Sequence, residues 1–204
     1  MIINFKFKIS NSQAGITLVE IVVVIFIIGL LLMILASGFP EMQRQFSLSR
    51  ATYKFAQDLR KTQDLALSGY TAISNVKGYG VYVDLSQPKQ YIIYADRGNG
   101  DQKYNVFNSN TCANETNIQN DCIMEKIDLS KDSPGVIIDS LYNVSSNYVS
   151  INFNPPNPTV SISDLAVGQD LQQYDRAGIE LALEADPASQ RTIYIWMSGL
   201  IQAQ

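Results

Sequence analysis

AGITLVEIVVVIFIIGLLLMILASG occupies residues 14–38, and its composition decides how the rest of the chain is read. From Ile16 to Ala36 every side chain is apolar or small except Thr17 and Glu20. A helix of that length spans about 31 Å, close to the hydrocarbon thickness of a bilayer. The buried helix of a soluble domain is a poor fit, because Ile21–Ala36 offers no polar face to water. A cleaved secretory signal needs small residues after its apolar region, and LASGF supplies them, although the apolar run is long for such a signal. A plain membrane anchor also fits. Glu20 is the anomaly, since a carboxylate carried into a bilayer costs about 2.5–3.5 kcal/mol or more.

The flanks favour something more specific. Upstream lies MIINFKFKISNSQAG, which carries Lys6 and Lys8 and no acid. Basic residues hold that end on the cytoplasmic side, so the chain after Ala36 is expected to be exported. The leader closes on Ala14-Gly15, small and flexible enough for a peptidase to grip as an extended strand.

Together these residues resemble the type IV pilins and the pseudopilins of type II secretion. The family signature is a short basic leader ending in Gly, then an apolar helix with Thr near its start and Glu as its fifth residue. Here that is Gly15, then Ile16-Thr17-Leu18-Val19-Glu20, then IVVVIFIIGLLLMIL. Ile16 stands where Phe is usual. The resemblance implies cleavage between Gly15 and Ile16 by prepilin peptidase and N-methylation of Ile16. It also implies lipid around the helix before assembly, and afterwards other pilin or pseudopilin subunits and an inner-membrane assembly platform.

Physical chemistry gives Glu20 a role beside that resemblance. Cleavage before Ile16 creates an ammonium four residues upstream, one helical turn away. Helix N-termini favour negative charge by about 0.3–1 kcal/mol in exposed settings. Glu20 can neutralise an amine on its own chain or on a neighbour, and the resemblance favours the neighbour. In a bundle such pairing rewards correct axial register, because an unpaired carboxylate in that core is costly. The plainer alternative is a Glu that snorkels to the headgroups.

Residues 37–69 are expected to form a kink and then an amphipathic helix. Pro40 lacks an amide hydrogen and disfavours helical angles at Phe39, and Gly38 sits just before it, so a kink or local break is expected there. Leu48, Ala51, Phe55, Leu59, Thr62 and Ala66 then recur at spacings of three and four, the stripe of a helix with a sheet packed over it. Gly69 stands where a left-handed cap would end that helix.

Beyond Tyr70 the period becomes alternating. GYGVYVDL, QYIIYAD, CIMEKIDL, GVIIDSLY, NYVSINF, TVSIS, GIELALEA and RTIYIWM read as strands. SQPK, RGNGD, NPPNP and DPASQ read as turns between them. Ile179, Leu181 and Leu183 alternate with Glu180, Ala182 and Glu184, which predicts one apolar and one wet face. Seven tyrosines (Tyr79, Tyr82, Tyr91, Tyr94, Tyr142, Tyr148 and Tyr194) lie in or beside these strands, a residue type suited to half-buried sheets. The expected fold is α+β: a long N-terminal helix whose second half packs on an antiparallel β-sheet domain, 70–204. This is the pilin architecture that the resemblance implies. FAQDLRKTQDLALSG resembles the helix of the H-type minor pseudopilins, and GIELALEADPASQRTIYIWMSGLIQ their closing strands.

Several chemistries are excluded or disfavoured. The chain has no histidine, which removes His-based acid–base catalysis, the Ser-His-Asp and Cys-His nucleophile systems and His-ligated metal sites. No nucleophile system or phosphate-cradling loop is recognisable, so an enzyme is not expected, and no cofactor is. The stretch 41–69 carries five basic and three acidic residues, a net +2, whereas 70–204 carries eight basic and fifteen acidic, a net −7. The acidic distal part gives no general footprint for nucleic acid.

Cys112 and Cys122 lie in SNTCANETNIQNDC. In an exported loop a disulfide between them would stabilise by about 3 kcal/mol on the chain-entropy model, and two free thiols are the alternative. Asp96, Asn99 and Asp101 in ADRGNGDQKYN invite a calcium reading. Gly98 and Gly100 occupy positions where an EF-hand loop needs oxygen ligands. A glycine-rich hairpin turn is the better reading, and no metal site is expected.

The expectation is therefore a structural subunit, a minor one on the H-type resemblance, of a type IV pilus or type II secretion pseudopilus. It has a leader (1–15), a membrane and assembly helix (16–36), a kink with amphipathic helix (37–69) and a β-rich body. It would sit in the inner membrane with its N-terminus cytoplasmic and its distal domain exported, and then in the filament. The alternative is a permanently anchored extracytoplasmic binding module, which has no need of Glu20 beside a Gly15 cut site.

Overall fold

The computed structural model describes residues 15–69, 73–97, 100–105, 110–114, 117, 120–155, 160–164 and 174–204. It falls into two compact units, the first ending at Met42 and the second running from Gln43 to Gln204. The boundary lies inside one helix, α1 (Leu18–Leu67), which also contains Gly38 and Pro40.

In the second unit α1 is anchored by its stripe. Leu48, Ala51, Phe55, Leu59, Thr62 and Ala66 are each at most 1% exposed, as their three-and-four spacing requires. Thr52 and Thr62 return their hydroxyls to the carbonyls of Leu48 and Asp58, at 2.8 and 2.7 Å, which removes the cost of burying them. Gly69 takes φ +62 just beyond the last turn, the left-handed conformation of a helix cap.

Among the described residues ten strands follow: β1 (Val76–Asp84), β2 (Gln90–Arg97), β3 (Asn110–Thr111), β4 (Cys122–Asp128), β5 (Val136–Tyr142), β6 (Tyr148–Phe153), β7 (Val160–Ser163), β8 (Arg176–Leu183), β9 (Asp186–Trp196) and β10 (Ile201–Ala203). A one-turn helix, α2 (Leu129–Asp132), is capped by Asp128, whose side chain accepts from Ser130 N–H. All eight segments with strand periodicity contain strands. They form not one sheet but two, a six-stranded sheet in the order β3-β4-β2-β1-β6-β7 and a four-stranded sheet in the order β10-β9-β8-β5. Every pairing is antiparallel except β3 with β4. The inner faces of both sheets and the α1 stripe share one apolar core that includes Phe55, Leu59, Tyr79, Ile93, Ile151, Ile179 and Ile193. The architecture is α+β with a long N-terminal helix, a pilin-like arrangement.

Three local expectations are corrected. DPASQ is not a turn: the reversal lies at Glu184–Ala185, and Asp186–Gln190 already belongs to β9 because Asp186 pairs with Leu183. The face of β8 expected to be wet is covered at Glu180 (3% exposed) and Ala182 (0%), and only Glu184 is exposed. Glu180 tolerates burial because Ser140 Oγ and Tyr142 OH donate to its two oxygens at 2.9 and 2.8 Å. The strand tyrosines divide unevenly. Tyr79, Tyr91 and Tyr94 are almost wholly buried, whereas Tyr142 is 40% exposed. Of the other expected turns, SQPK is a turn, while Gly98-Asn99 and most of NPPNP lie outside the described residues.

Candidate processing and assembly site

The site begins where α1 does. Gly15, Ile16 and Thr17 are non-helical and exposed, and nothing stands within 4 Å of the position a Cβ on Gly15 would take. The Gly15–Ile16 peptide bond therefore lies outside the helix and open to solvent. Thr17 is the residue that starts the helix. Its Oγ1 accepts from Glu20 N–H at 3.3 Å, and its carbonyl accepts from Glu20 and Ile21 N–H at 3.1 and 3.3 Å. Thr-x-x-Glu before an apolar run is the sequence pattern of a capping box. That signal was present at Thr17–Glu20, and it assigns Thr17 a structural role that its place in the resemblance alone does not explain. Ile16 precedes the cap, so in the uncleaved chain it lies outside the helix that carries Glu20.

The apolar run after the cap is exposed all round. Leu18, Val19, Ile25, Phe26, Met33 and Leu35 are each more than 60% exposed, and no residue of the apolar window is buried. Among the described residues this is the one helix long and apolar enough to cross a membrane. Such a surface on a free helix in water is unfavourable at about 25 cal/mol per Å² of apolar area. Such a surface favours an apolar environment over water. Basic residues of the leader, Lys6 and Lys8 included, and Ala14 lie outside the described residues.

In the distal unit Cys112 and Cys122 are joined by a disulfide. Cys122 opens β4 and is fully buried, and Cys112 N–H donates to Ile123 C=O at 2.9 Å. The bridge thus staples the short parallel strand β3 to the sheet.

A second polar feature lies near that staple. Oxygens of Asp96, Asp101 and Asp121 stand within 4.8 Å of one another. Burial, then the charges of Asp121 and Asp101, push the Asp96 carboxyl up to about 8, against the pull of Gln102 N–H and Asn152. Burial pushes Asp121 up to about 6, opposed by the N–H groups of Arg97 and Asn105. The sequence pattern singled out Asp96 and Asp101 but missed Asp121, which lies twenty positions further on and is brought alongside by the pairing of β2 with β4.

No curated protein and no solved structure matches the chain. A family model does, over the segment from which the site is built. Residues 10–36 match the prokaryotic N-terminal methylation motif, the mark characteristic of type IV pilins and pseudopilins, a family of structural subunits and not of enzymes.

Proposed function

We infer that the chain is a prepilin, cut by prepilin peptidase between Gly15 and Ile16, methylated on the new amine, and assembled through the Ile16–Ala36 helix into a pilus or a type II secretion pseudopilus. Within that machine it acts as a minor, H-type-like subunit. The observation that carries the reading is the placing of the Gly15–Ile16 bond: exposed and non-helical, two residues before a Thr17-capped helix whose first turn holds Glu20. A protease needs an extended substrate, and a bond inside a helix would first have to be unwound.

Before assembly the leader stays cytoplasmic, the helix crosses the inner membrane and the distal unit is outside. On assembly the helix exchanges lipid for neighbouring helices, and Glu20 exchanges the headgroup region for a neighbour's Ile16 amine. Gly38 and Pro40 serve this transfer. A Pro inside a helix removes one backbone donor and clashes with the carbonyl four residues back, so α1 bends most readily there.

Two measurements test the reading. Mass spectrometry of the mature protein should find Ile16, N-methylated, as the first residue. A mature chain that still begins at Met1 would make the helix a permanent anchor, and one that begins after Ala36 would make it a secretory signal. Glu20→Ala should insert in the membrane normally yet be depleted from sheared filaments. Normal incorporation of that variant would refute the pairing role.

A further inference from the structure

The side of α1 turned away from the core has an order of its own in the second unit. Tyr53 stands two positions, about 200° around the helix, from both Ala51 and Phe55 of the buried stripe. On that far side Phe46, Tyr53, Arg60 and Leu67 recur every seven residues, and all four are exposed. Arg50, Gln57 and Asp64 fall between them at the same interval, also exposed. Steps of four and three that alternate without a break are the seam of a helix that packs along another helix. Phe46, Tyr53 and Leu67 are 63%, 69% and 50% exposed. Among the described residues of this unit only Leu200 otherwise exposes half of a large apolar side chain, so exposed apolar surface gathers on the seam.

The surface between these side chains has the matching shape. One hollow includes Arg50, Tyr53, Lys54 and Gln57 in its lining, and the next includes Gln57, Arg60, Lys61 and Asp64. Four residues at i, i+3, i+4 and i+7 form the hole into which a facing helix inserts one side chain. Charge is divided in the same way. Lys54 and Lys61, which flank the seam, are held by Asp58 and Glu125 of their own chain. The side chains of Arg50, Arg60 and Asp64, on the seam itself, have no partner among the described residues.

Those free charges select both the occupant and its register. We propose that the seam docks the same seam of a second copy of this chain, parallel to it and displaced by two heptads, about 21 Å along the axis. The parallel direction rests on the reading of the chain as a prepilin, since membrane insertion points every copy the same way. Only displacements by whole heptads keep seam on seam. With no displacement Arg50, Arg60 and Asp64 each meet their own like, which is repulsive. A displacement of one heptad sets Arg50 and Asp64 against Gln57 and pairs no charge. At two heptads Arg50 faces Asp64 of the other copy, and Tyr53 faces Leu67. Phe46 then enters the hole that contains Arg60, where the guanidinium meets an aromatic face. Leu67 fills the hole around Tyr53. One displacement thus pairs the free acid with a free base and fills both hollows with apolar side chains.

Disulfide trapping of the full chain, in membranes and in sheared filaments, tests this register. Cys112 and Cys122 are bonded to each other, so an introduced cysteine is a free thiol in an otherwise thiol-free chain. Two cysteines bridge only where their Cα atoms come within about 7 Å. The variant with both Arg50→Cys and Asp64→Cys should oxidise to a covalent dimer, and each single variant should stay monomeric. All these positions are exposed, so the changes leave the core intact. Tyr53→Cys with Leu67→Cys should give the same dimer. In that second background Arg50→Asp should lower the dimer yield by about tenfold or more, and adding Asp64→Arg should restore it. A dimer from Arg50→Cys alone, or from Arg50→Cys with Gln57→Cys, would show another register and overturn the proposal. So would the absence of dimer from both double variants, or a charge swap that restores nothing. Mass spectrometry of the same samples separates this outcome from the processing reading. An Ile16 start without the dimers sinks the seam alone, whereas the dimers with a Met1 start support the seam and sink the processing.

Discussion

Tyr91→Phe removes one oxygen from the seam between α1 and the six-stranded sheet, and little else. The ring is 1% exposed and meets Phe55 edge-on at 4.6 Å between centroids, a contact that phenylalanine keeps. The hydroxyl donates to Asp58 Oδ2 at 2.6 Å, and Lys54 Nζ reaches the same oxygen at 3.2 Å. Burial, the hydrogen bond to Asp58 and the charge of Asp58 all push the Tyr91 phenol far above its ordinary value, so it remains the donor at every accessible pH. The loss is therefore one charge-assisted hydrogen bond between helix and sheet, worth about 1.5–3 kcal/mol. Lys54 stays with Asp58, which places the cost toward the lower end, at about 2 kcal/mol.

Urea unfolding of the full chain in detergent, followed by the fluorescence of its single tryptophan, Trp196 of β9, measures this directly. With a slope of about 2 kcal/mol per molar urea, the midpoint should fall by about 1 M at unchanged slope. In a double-mutant cycle with Asp58→Asn the two changes should couple by about 1 kcal/mol, because the second removes the charge on which the first bond depends. A midpoint shift below about 0.25 M, or a coupling near zero, would show that this bond does not hold the sheet to the helix.

Two further changes probe the distal unit. Replacing Cys112 and Cys122 together by Ala opens a loop with a sequence separation of 10, which on the chain-entropy relation costs about 2.7 kcal/mol. Reduction of the wild type should lower the urea midpoint by the same amount, and a loss under about 1 kcal/mol would mean that loop closure is not what the bridge supplies. Gly80→Ala drives a methyl group into the fully buried Tyr94 ring and should cost about 1–3 kcal/mol. Part of that loss should return in Gly80→Ala/Tyr94→Leu, and a neutral single variant would show that the ring moves aside freely.

The parts of this fold legible in the sequence are those set by local period. The stripe from Leu48 to Ala66 was readable because a helix repeats its buried positions every three or four residues, and the eight strand segments because a strand repeats every two. What period cannot supply is the partner. β1 pairs with β2 next to it in the chain but also with β6 some seventy residues on, and β5 pairs with β8 instead of its neighbours. The division into two sheets is set by those long-range choices. Glu180 was misread for the same reason. Alternation marked its face as polar, and Ser140 and Tyr142 on the paired strand then supplied the donors that let it be buried. β3 and β10, of two and three residues, are too short to show any period. At the candidate processing site the reverse holds. Gly15, Thr17 and Glu20 are neighbours in sequence and remain so in space, so linear spacing carries their geometry, whereas Asp121 joins Asp96 only after the sheet has formed.

The two kinds of site also differ in what their mutations report. Every apolar side chain from Ile16 to Leu35 that the core would need is exposed, and Glu20 is exposed with them, so none of them contributes buried area to the chain's own folded core. The α1 stripe is the opposite case: Phe55 and Leu59 are wholly buried, and truncating either to Ala would cost several kcal/mol, about 2–5. A change at Glu20 that depletes the chain from filaments while leaving the urea midpoint of the distal unit unmoved therefore identifies an assembly defect, because the residue has no folding energy to lose. The same depletion from a change at Phe55 would say nothing about assembly. One helix carries both the core stripe and the segment proposed for assembly, and the exposure of its first half is what makes the two separable.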